Sequence, residues 1–504
     1  MNWIKTALVF VASLALTMAL PGYANEKNVV AEKSLSARLW QATDARNAND
    51  DSFAQALSTG SDDDKRIAAL GLGRIGGDDV VARLSSVLNA KDQVQRYALF
   101  GLGISLSEQA TAPLQQTWRS GAVATNNRDV ALMAIANRGD DGAQQLLLEV
   151  LRDAVKQRDT KLARSAAQAL GQLWSYRRDK LSALAKDTAP LLLQLIEQRG
   201  AAATMAAFAL SRARREPDFY TLDTLASLLQ REKNPRTALF LARAYGAPAA
   251  AAAAEKLFDL AQQDGNALVR YEATFALARS ADEVNAWRHT QALVQHKDAM
   301  TAIAAIQGLS ERPALIEQHR GDVEKWRENR ALTYSVQRAL PSENAAEEST
   351  EPAQKTFAYD EIKSALGVRY RIATERGDIT IRLSDETPYT SYNFAQLADS
   401  HYYDGRVFFR VVPGFVAQTG DPTDTGEGGP GFSIREELSL NPQDEHWLGI
   451  ATAGKDTGGS QFFLNAGHNP HLDWHYTTFA KIEKGVDVIA KIVPGDKIIS
   501  IKRR

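Results

Sequence analysis

The chain has 504 residues, enough for roughly three domains, and its 44% hydrophobic and 24% charged residues are typical of a soluble protein with large buried cores. Its formal net charge of −2 at pH 7 offers no basic surplus for nucleic acid or an anionic membrane surface. The absence of cysteine excludes disulfide bonds, thiolate nucleophiles, thiolate zinc sites and lipid attachment at a lipoprotein cysteine.

The first element is an N-terminal segment typical of a secretory signal peptide, predicted over residues 1–24. Lys5 gives a positive start, an apolar run extends from Thr6 to Leu20, and Gly22 and Ala24 form a small-x-small cleavage site. The alternative is a membrane anchor, but the apolar run is shorter than the ~20 residues that a spanning helix needs. The sequence therefore predicts an exported protein without stable membrane insertion, located in the bacterial periplasm.

A repeated apolar helical pattern follows, with copies about 30 to 40 residues apart, the period of a stacked solenoid. The copies begin at Ala68, Ala98, Ala131, Ala166, Met205, Thr237, Glu272 and Ala302. A second apolar helix follows several of the copies, so the repeating unit is a helix pair that buries its apolar face against its neighbours. Glycines such as Gly73 and Gly101 cost helix propensity, and we expect them to let helices approach closely.

The repeating unit resembles HEAT-type helical repeats, and residues 25–340 are predicted to form an α-solenoid. An unrelated alanine-rich solenoid would give a similar pattern. Helical arrays of this kind bind protein partners along a concave face. The alternative is a spacer or a dimerisation arm, and the sequence does not choose between these roles.

An acidic segment rich in Pro and Glu, "PSENAAEESTEPAQK", interrupts the helical pattern after residue 340. Residues 341–365 are predicted to form a solvated, flexible linker, with a possible short helix in "YDEIKSALG". Such a linker would let the C-terminal domain search around a client or partner held by the solenoid.

The apolar period changes from 3.6 to 2 after Val368, which predicts β-strands. The segments "RYRIATE", "GDITIRL", "RVFFRVV" and "KIISIKR" are predicted strands, with Gly377–Asp378 as a hairpin turn between the first two. Helical spacing appears in "YTSYNFAQLAD" and "GVDVIAKIV". The pattern predicts a small β-barrel or sandwich with about two helices.

Five segments of this domain occur in the order and spacing of one family: "TPYTSYNFAQL", "FFRVVPGFVAQTGD", "GEGGPGFSI", "IATAGKDTGGSQFFL" and "HLDWHYTTFAKI". The domain, assigned to residues 366–504, resembles a cyclophilin-type peptidyl-prolyl cis–trans isomerase. The resemblance implies an eight-stranded antiparallel β-barrel with two helices, and an enzyme that isomerises X-Pro bonds without a metal or cofactor. It does not extend to the solenoid.

The resemblance also assigns site residues. It implies that Arg410 is the catalytic group, that Phe415, Phe463 and Leu472 form a pocket for the proline ring, and that Gln418 binds the substrate backbone. The remaining substrate-binding positions that it implies are Val416, Ala451, Thr452, Ala453, His471 and Tyr476. The chemistry of Arg410 agrees, because a fixed guanidinium can stabilise a twisted amide whose nitrogen has regained its lone pair. The alternatives are a structural salt bridge for Arg410 and an ordinary core for the apolar residues.

Four of these positions differ from the commonest family pattern. His471 stands where tryptophan is common and Tyr476 where histidine is common, while Val416 replaces methionine and Thr452 replaces asparagine. The arginine is retained, so we expect isomerase activity with an altered preference for the residues next to proline.

Three other signals are set aside. The stretch Gly449–Asp456 lacks the Ser or Thr that follows the lysine of a phosphate-binding loop. His468, His471 and His475 have spacings that could bind zinc on a helix, but Pro470 favours a loop, and we predict no metal site. Ser460 has no evident histidine and acid partners for nucleophilic catalysis.

The sequence thus predicts an exported isomerase that assists folding of proline-containing polypeptides, with a solenoid that binds clients or partners. One alternative is a non-catalytic scaffold of the cell envelope that holds proline-containing loops. Another is a holdase chaperone that acts through the solenoid.

Overall fold

The computed structural model describes residues 34–340 and 352–504, except residue 91 and the segments 178–184, 214–220 and 247–252. The predicted signal peptide and residues 341–351 of the predicted linker lie outside the described residues. Leu35–Arg504 form one compact unit. Within the described ranges, no helix is both long enough and apolar enough to cross a membrane.

Residues before the predicted linker are helical, as the 3.6-residue period predicts. The helices are α1 (Leu35–Asp44), α2 (Asp51–Thr59), α3 (Asp62–Ile75), α4 (Val81–Ser85), α5 (Asp92–Ile104), α6 (Thr111–Arg119), α7 (Arg128–Arg138), α8 (Asp141–Gln157), α9 (Thr160–Tyr176), α10 (Ala185–Gln198), α11 (Ala203–Arg212), α12 (Leu222–Arg231), α13 (Pro235–Tyr245), α14 (Ala254–Gln263), α15 (Ala267–Ala278), α16 (Glu283–Leu293), α17 (Ala299–Leu309), α18 (Pro313–Gln318), α19 (Arg320–Lys325) and α20 (Thr333–Ala339).

The odd-numbered helices from α3 to α17 form a continuous inner layer, in which each helix packs against the next odd-numbered one. The even-numbered helices between them complete the pairs. The eight apolar segments predicted from the sequence lie in these eight inner helices, which confirms the helical prediction. Local signals set the helix ends: Ser61 caps α3 in a reciprocal capping box with Asp64, and three aspartates occupy its first turn.

Glycine in α3 and α5 allows the inner helices to approach closely. A Cβ atom placed on Gly73 would lie 2.4 Å from the Cα of Gly101, far inside van der Waals contact. This supports the expectation that these glycines offset their lower helix propensity through close packing.

An eight-stranded antiparallel sheet forms the C-terminal part, in the order β3-β4-β6-β5-β7-β2-β1-β8. The strands are β1 (Arg369–Thr374), β2 (Gly377–Leu383), β3 (Arg410–Val412), β4 (Val416–Thr419), β5 (Trp447–Ile450), β6 (Phe462–Asn465), β7 (Thr478–Lys484) and β8 (Ile498–Arg503). The two outer strands meet, because Val407 just before β3 bridges Lys497 just before β8 and the Phe408 N–H donates to the Asp496 carbonyl at 2.8 Å. The sheet therefore curls into the predicted barrel.

Three helices accompany the barrel: α21 (Tyr359–Lys363), α22 (Pro388–Asp399) and α23 (Val486–Ile489). They match the three helical patterns predicted after residue 355, although α23 is short. Phe394 of α22 is fully buried in the barrel core. The hairpin prediction was displaced by two residues: Glu375 and Arg376 form the turn, and Gly377 opens β2.

The barrel packs along the inner layer of the helical array. The buried Arg74 of α3 donates to the carbonyl oxygens of Leu438 at 2.9 Å and Glu386 at 2.8 Å. Arg46, just after α1, forms an ion pair with Asp456 at 2.6 Å. The contact therefore begins at the first helices of the array.

Trp474 of the barrel inserts into the core of the array. Its ring meets Phe100 of α5 edge-on at 4.8 Å, and a Cβ on Gly103 would lie 2.9 Å from its Cζ3 atom. The tryptophan is only 6% exposed and belongs to the same apolar cluster as the inner helices. The barrel is thus docked on the array, which differs from the expected domain searching on a flexible linker.

The later part of the predicted linker also packs on the barrel. Gln354 forms a parallel bridge with Ser433, and the Lys355 N–H donates to the Ser433 carbonyl at 2.7 Å. The Lys355 ammonium lies 4.3 Å from the centre of the Phe432 ring. Backbone pairing therefore holds this stretch, although its composition predicted solvated coil.

Candidate active site

The β3–β4 hairpin positions Arg410 on the outer surface of the barrel. Arg410 pairs with Gln418 across the hairpin, and the buried Val411 points to the core, so alternation directs Arg410 outward. Gly414 in the turn has a φ of 65°, which glycine adopts without strain. This explains the arginine within an otherwise apolar segment.

The Arg410 guanidinium is held by an amide and a ring. Its Nη1 donates to Gln418 Oε1 at 3.3 Å, and its central carbon lies 5.3 Å from the centre of the Phe415 ring. Across the described part of the chain, Arg410 has no carboxylate within ion-pairing distance. Burial lowers the pKa of Arg410 from its ordinary value, with Arg338 acting in the same direction and Tyr271 opposing it. The structural salt bridge considered above is therefore not what holds this side chain.

A chain of amide hydrogen bonds fixes Gln418. Its Nε2 donates to Gln461 Oε1 at 3.0 Å, and Gln461 Nε2 donates to the carbonyl oxygens of Gly426 at 2.9 Å and Gly428 at 2.8 Å. The two side chains thus have defined orientations, and Gln418 presents its oxygen to Arg410. Gln461 was missed as a site residue, although it stands in the quoted "GSQFFL" segment.

The Gly426–Gly431 loop is ordered by one buried carboxylate. Asp421 accepts hydrogen bonds from the backbone N–H groups of Thr423 at 2.7 Å, Gly426 at 2.5 Å and Gly428 at 3.1 Å. A Cβ on Gly428 would lie 2.1 Å from the Asp421 Oδ1 atom, so glycine is required there. These bonds tie the loop to the site.

An apolar cluster lies beside Arg410. Val416, Phe463 and Leu472 are buried and pack together, with Phe415, Ala451 and Tyr476 partly buried around them. The Phe463 and Tyr476 rings meet edge-on at 6.0 Å. The structure therefore brings the predicted proline-pocket residues together from three separate segments.

Thr452 and Ala453 occupy a different place. They follow β5 in a loop outside the apolar cluster, where Thr452 is half-buried and Ala453 is exposed. The Ala453 N–H donates to Thr457 Oγ1 at 2.9 Å. These two predicted residues thus lie at the rim.

His471 lies where the barrel meets the array. Its ring stacks on Phe415 with centres 5.3 Å apart, and it lies 6.3 Å from the ring of Phe208 in α11. Burial, aided by nearby arginines, holds the pKa of His471 well below its ordinary value. The ring is therefore neutral near pH 7. His475, the second histidine of the segment, stacks on Tyr176 at 3.7 Å.

The array also contacts the backbone of the site loops. Arg236 of α13 donates to the carbonyl oxygens of Gly414 and His468, and Gln307 of α17 donates to the Val411 carbonyl at 3.2 Å. Tyr176 of α9 donates to the His471 carbonyl at 2.5 Å. No sequence pattern indicated these contacts, because the partners lie 104 to 295 residues apart.

Comparisons with known proteins agree on the barrel. A family model for the cyclophilin type peptidyl-prolyl cis-trans isomerase/CLD matches residues 369–499. A peptidyl-prolyl cis-trans isomerase of Synechococcus elongatus is 42% identical over 134 residues, covering 26% of this chain and 92% of that protein. A Helicobacter pylori isomerase is 43% identical over 153 residues, covering 29% and 93%. Peptidyl-prolyl cis-trans isomerase B of Bacillus subtilis is 42% identical over 120 residues, covering 23% and 84%.

Proposed function

The chain belongs, through its C-terminal barrel, to the cyclophilin-type peptidyl-prolyl cis–trans isomerases, and on this premise we propose that Arg410 is the catalytic group. Membership of the family makes the barrel a peptidyl-prolyl isomerase. The observation that carries the proposal is a partly exposed guanidinium without a carboxylate partner in the described residues, beside an apolar cluster.

The chemistry follows from the amide bond. Resonance between nitrogen and carbonyl gives a rotation barrier of ~18–20 kcal/mol. Twisting the bond removes that resonance and returns the lone pair to the prolyl nitrogen. A guanidinium aimed at this nitrogen interacts more strongly with the twisted state than with either planar state, which accelerates rotation. Each 1.4 kcal/mol or so of this difference is a tenfold gain in rate.

The remaining groups bind and orient the substrate. The proline ring would pack against Phe415, Phe463 and Leu472, with Val416 on the pocket wall. Gln418 would hold both Arg410 and the substrate backbone, since its side-chain amide keeps one N–H donor and one oxygen lone pair beyond the bonds to Arg410 and Gln461. The neighbouring residues of the substrate would pass the rim. Thr452 and Ala453 lie at this rim, and the further substrate contacts would be Ala451, His471 and Tyr476.

We further propose that the enzyme acts on exported proteins during folding. Support comes from the signal-peptide pattern of residues 1–24. Proteins folding outside the cytoplasm populate both X-Pro isomers, which exchange in tens to hundreds of seconds without a catalyst. N-terminal sequencing of the protein from a periplasmic extract tests this location: a chain that begins at Asn25 agrees, and one that begins at Met1 contradicts it.

The array face that packs on the barrel is unavailable to a separate partner. We therefore propose that clients meet the array beside Arg410, where array and barrel leave a cavity between them. A holdase or scaffold role would require binding without turnover, and the assay below separates these alternatives from catalysis.

The test is isomerisation of a proline peptide by the full chain. Wild-type protein should accelerate the exchange, and Arg410→Ala should lose about 100-fold, the usual cost of removing one preorganised donor. Arg371→Ala, an exposed arginine on β1, is the matched control and should keep the wild-type rate. Equal rates for the wild type and Arg410→Ala would refute the assigned role.

A further inference from the structure

The barrel and the array enclose a cavity of about 430 Å³ that includes the face of Arg410. From the barrel, Arg410, Phe415 and His471 line it, and the opposite wall comes from α11, α13, α15, α17 and α20 of the array. Its volume lies within the range of ordinary ligand sites. A substrate chain at Arg410 therefore meets the array as a second wall.

The cavity has a positive balance of charge. Five arginines and two glutamates line it. Two of the arginines already have acidic partners: Arg243 pairs with Glu272, and Arg279 lies 3.5 Å from Glu311. Both glutamates are thus engaged, and neither Arg338 nor Arg410 has an acidic partner among the described residues.

Arg338, near the end of α20, has no carboxylate within ion-pairing distance among the described residues. Its guanidinium lies 5.4 Å from the centre of the Phe409 ring, and Phe409 directly precedes Arg410. A Cβ on Gly426 would lie 3.5 Å from Arg338 Nη1, so the arginine also borders the loop that Gln461 holds. The residue is exposed, and solvent therefore reaches the cavity at this side.

We propose that Arg338 is a specificity-determining residue of the isomerase, which favours substrate segments with Asp or Glu close to the isomerised X-Pro bond. The inference rests on the proposed catalytic role of the Arg410 site. A guanidinium forms strong, charge-assisted hydrogen bonds with a carboxylate. Because both isomers and the twisted state keep that carboxylate, the contact lowers KM and leaves kcat nearly unchanged.

The position of Arg338 makes this selection local. Phe409 holds the Arg338 side chain beside the catalytic arginine. By contrast, Arg243 and Arg279 of the array wall pair with glutamates of the array itself. A lysine near the proline of the substrate would meet two guanidinium groups, Arg338 and Arg410, without a free carboxylate among the described lining residues. Like charges this close disfavour binding.

The experiment uses the full chain and three proline peptides that differ only in one flanking residue, Glu, Gln or Lys. Wild-type protein should show the lowest KM for the Glu peptide, about five- to tenfold below that for the Lys peptide. Arg338→Glu should reverse this order with similar kcat, and Arg338→Lys should restore it in part. Arg152→Glu, at an exposed site of α8 that does not line the cavity, should keep the wild-type order.

The outcomes separate this inference from the proposed function. Acceleration of all three peptides with the same KM order in the wild type and Arg338→Glu would overturn the inference alone. Absence of acceleration for every peptide would overturn the proposed catalysis. In that case, titration of fluorescent forms of the same peptides still decides the role of Arg338, since loss of the preference for Glu in Arg338→Glu supports it and an unchanged preference refutes it.

Discussion

Docking of the barrel on the array should depend strongly on Trp474. Replacement by alanine removes a ring that is 6% exposed and that packs on Phe100 in the core of the inner helices. Deletions of buried aromatic side chains cost about 3–5 kcal/mol, because the cavity that they leave collapses only in part. Since the lost contacts join the two parts, the ratio of docked to undocked chains should fall by roughly 10²- to 4 × 10³-fold.

The cysteine-free chain is suited to a distance measurement between spin labels. Cysteines introduced at the exposed positions Ser120 and Lys484 would place one label on the array and one on the barrel. In the wild type we expect one narrow distance distribution up to the urea concentration at which the chain unfolds. In Trp474→Ala, a broad population should appear at lower urea.

Trp447→Ala provides the control, because this tryptophan of β5 lies beside Lys481 within the barrel. It should keep the narrow distribution in the same range of urea. If Trp474→Ala matched the wild type throughout, the docking derived from the Trp474 contacts would be refuted.

Two further predictions concern stability. Gly73→Ala should lower the free energy of unfolding in urea by about 1–3 kcal/mol, because the clash with Gly101 exceeds the gain in helix propensity. Gly321→Ala, which has open space around it, is the control and should raise that free energy by up to about 1 kcal/mol. A stabilised Gly73→Ala would contradict the close packing. Burial, aided by Arg138, lowers the pKa of His475 to about 4 from 6.5, so the unfolded chain takes up the proton first. The free energy of unfolding should therefore fall by at most roughly 3 kcal/mol through this group as the pH drops from about 6.5 to 4. Urea unfolding at pH 7 and at pH 4.5 measures this loss, which should be smaller in His475→Phe than in the wild type. An equal loss in both proteins would refute the assignment.

Local patterns predicted the elements of the fold well. The recurring apolar segments predicted the inner helices, because each segment shows the 3.6-residue period of a helix within its own sequence. The alternation of apolar and polar residues after Val368 predicted β1, β2 and β8. The motif around Arg410 located the site, since its residues are close in the sequence of the hairpin. Where the prediction failed at Gly377, the glycine opened a strand rather than forming the turn.

The docked arrangement could not be predicted in this way. Trp474 resembles any loop aromatic, and Arg236 resembles any charged residue in the first turn of a helix. Their partners lie hundreds of residues away and carry no matching pattern, because carbonyl oxygens and helix grooves accept such contacts whatever the local sequence. The second wall of the site, including Arg338, became visible only with the tertiary structure.

The most direct test of the assigned chemistry separates binding from turnover at Arg410. Exchange measurements by nuclear magnetic resonance on a proline peptide give both the affinity and the rate of isomerisation on the full chain. For Arg410→Ala, we predict an affinity within about threefold of the wild type and a turnover about 100-fold lower, since the guanidinium acts mainly on the twisted amide. A variant that binds more weakly but turns over at the wild-type rate would contradict the account.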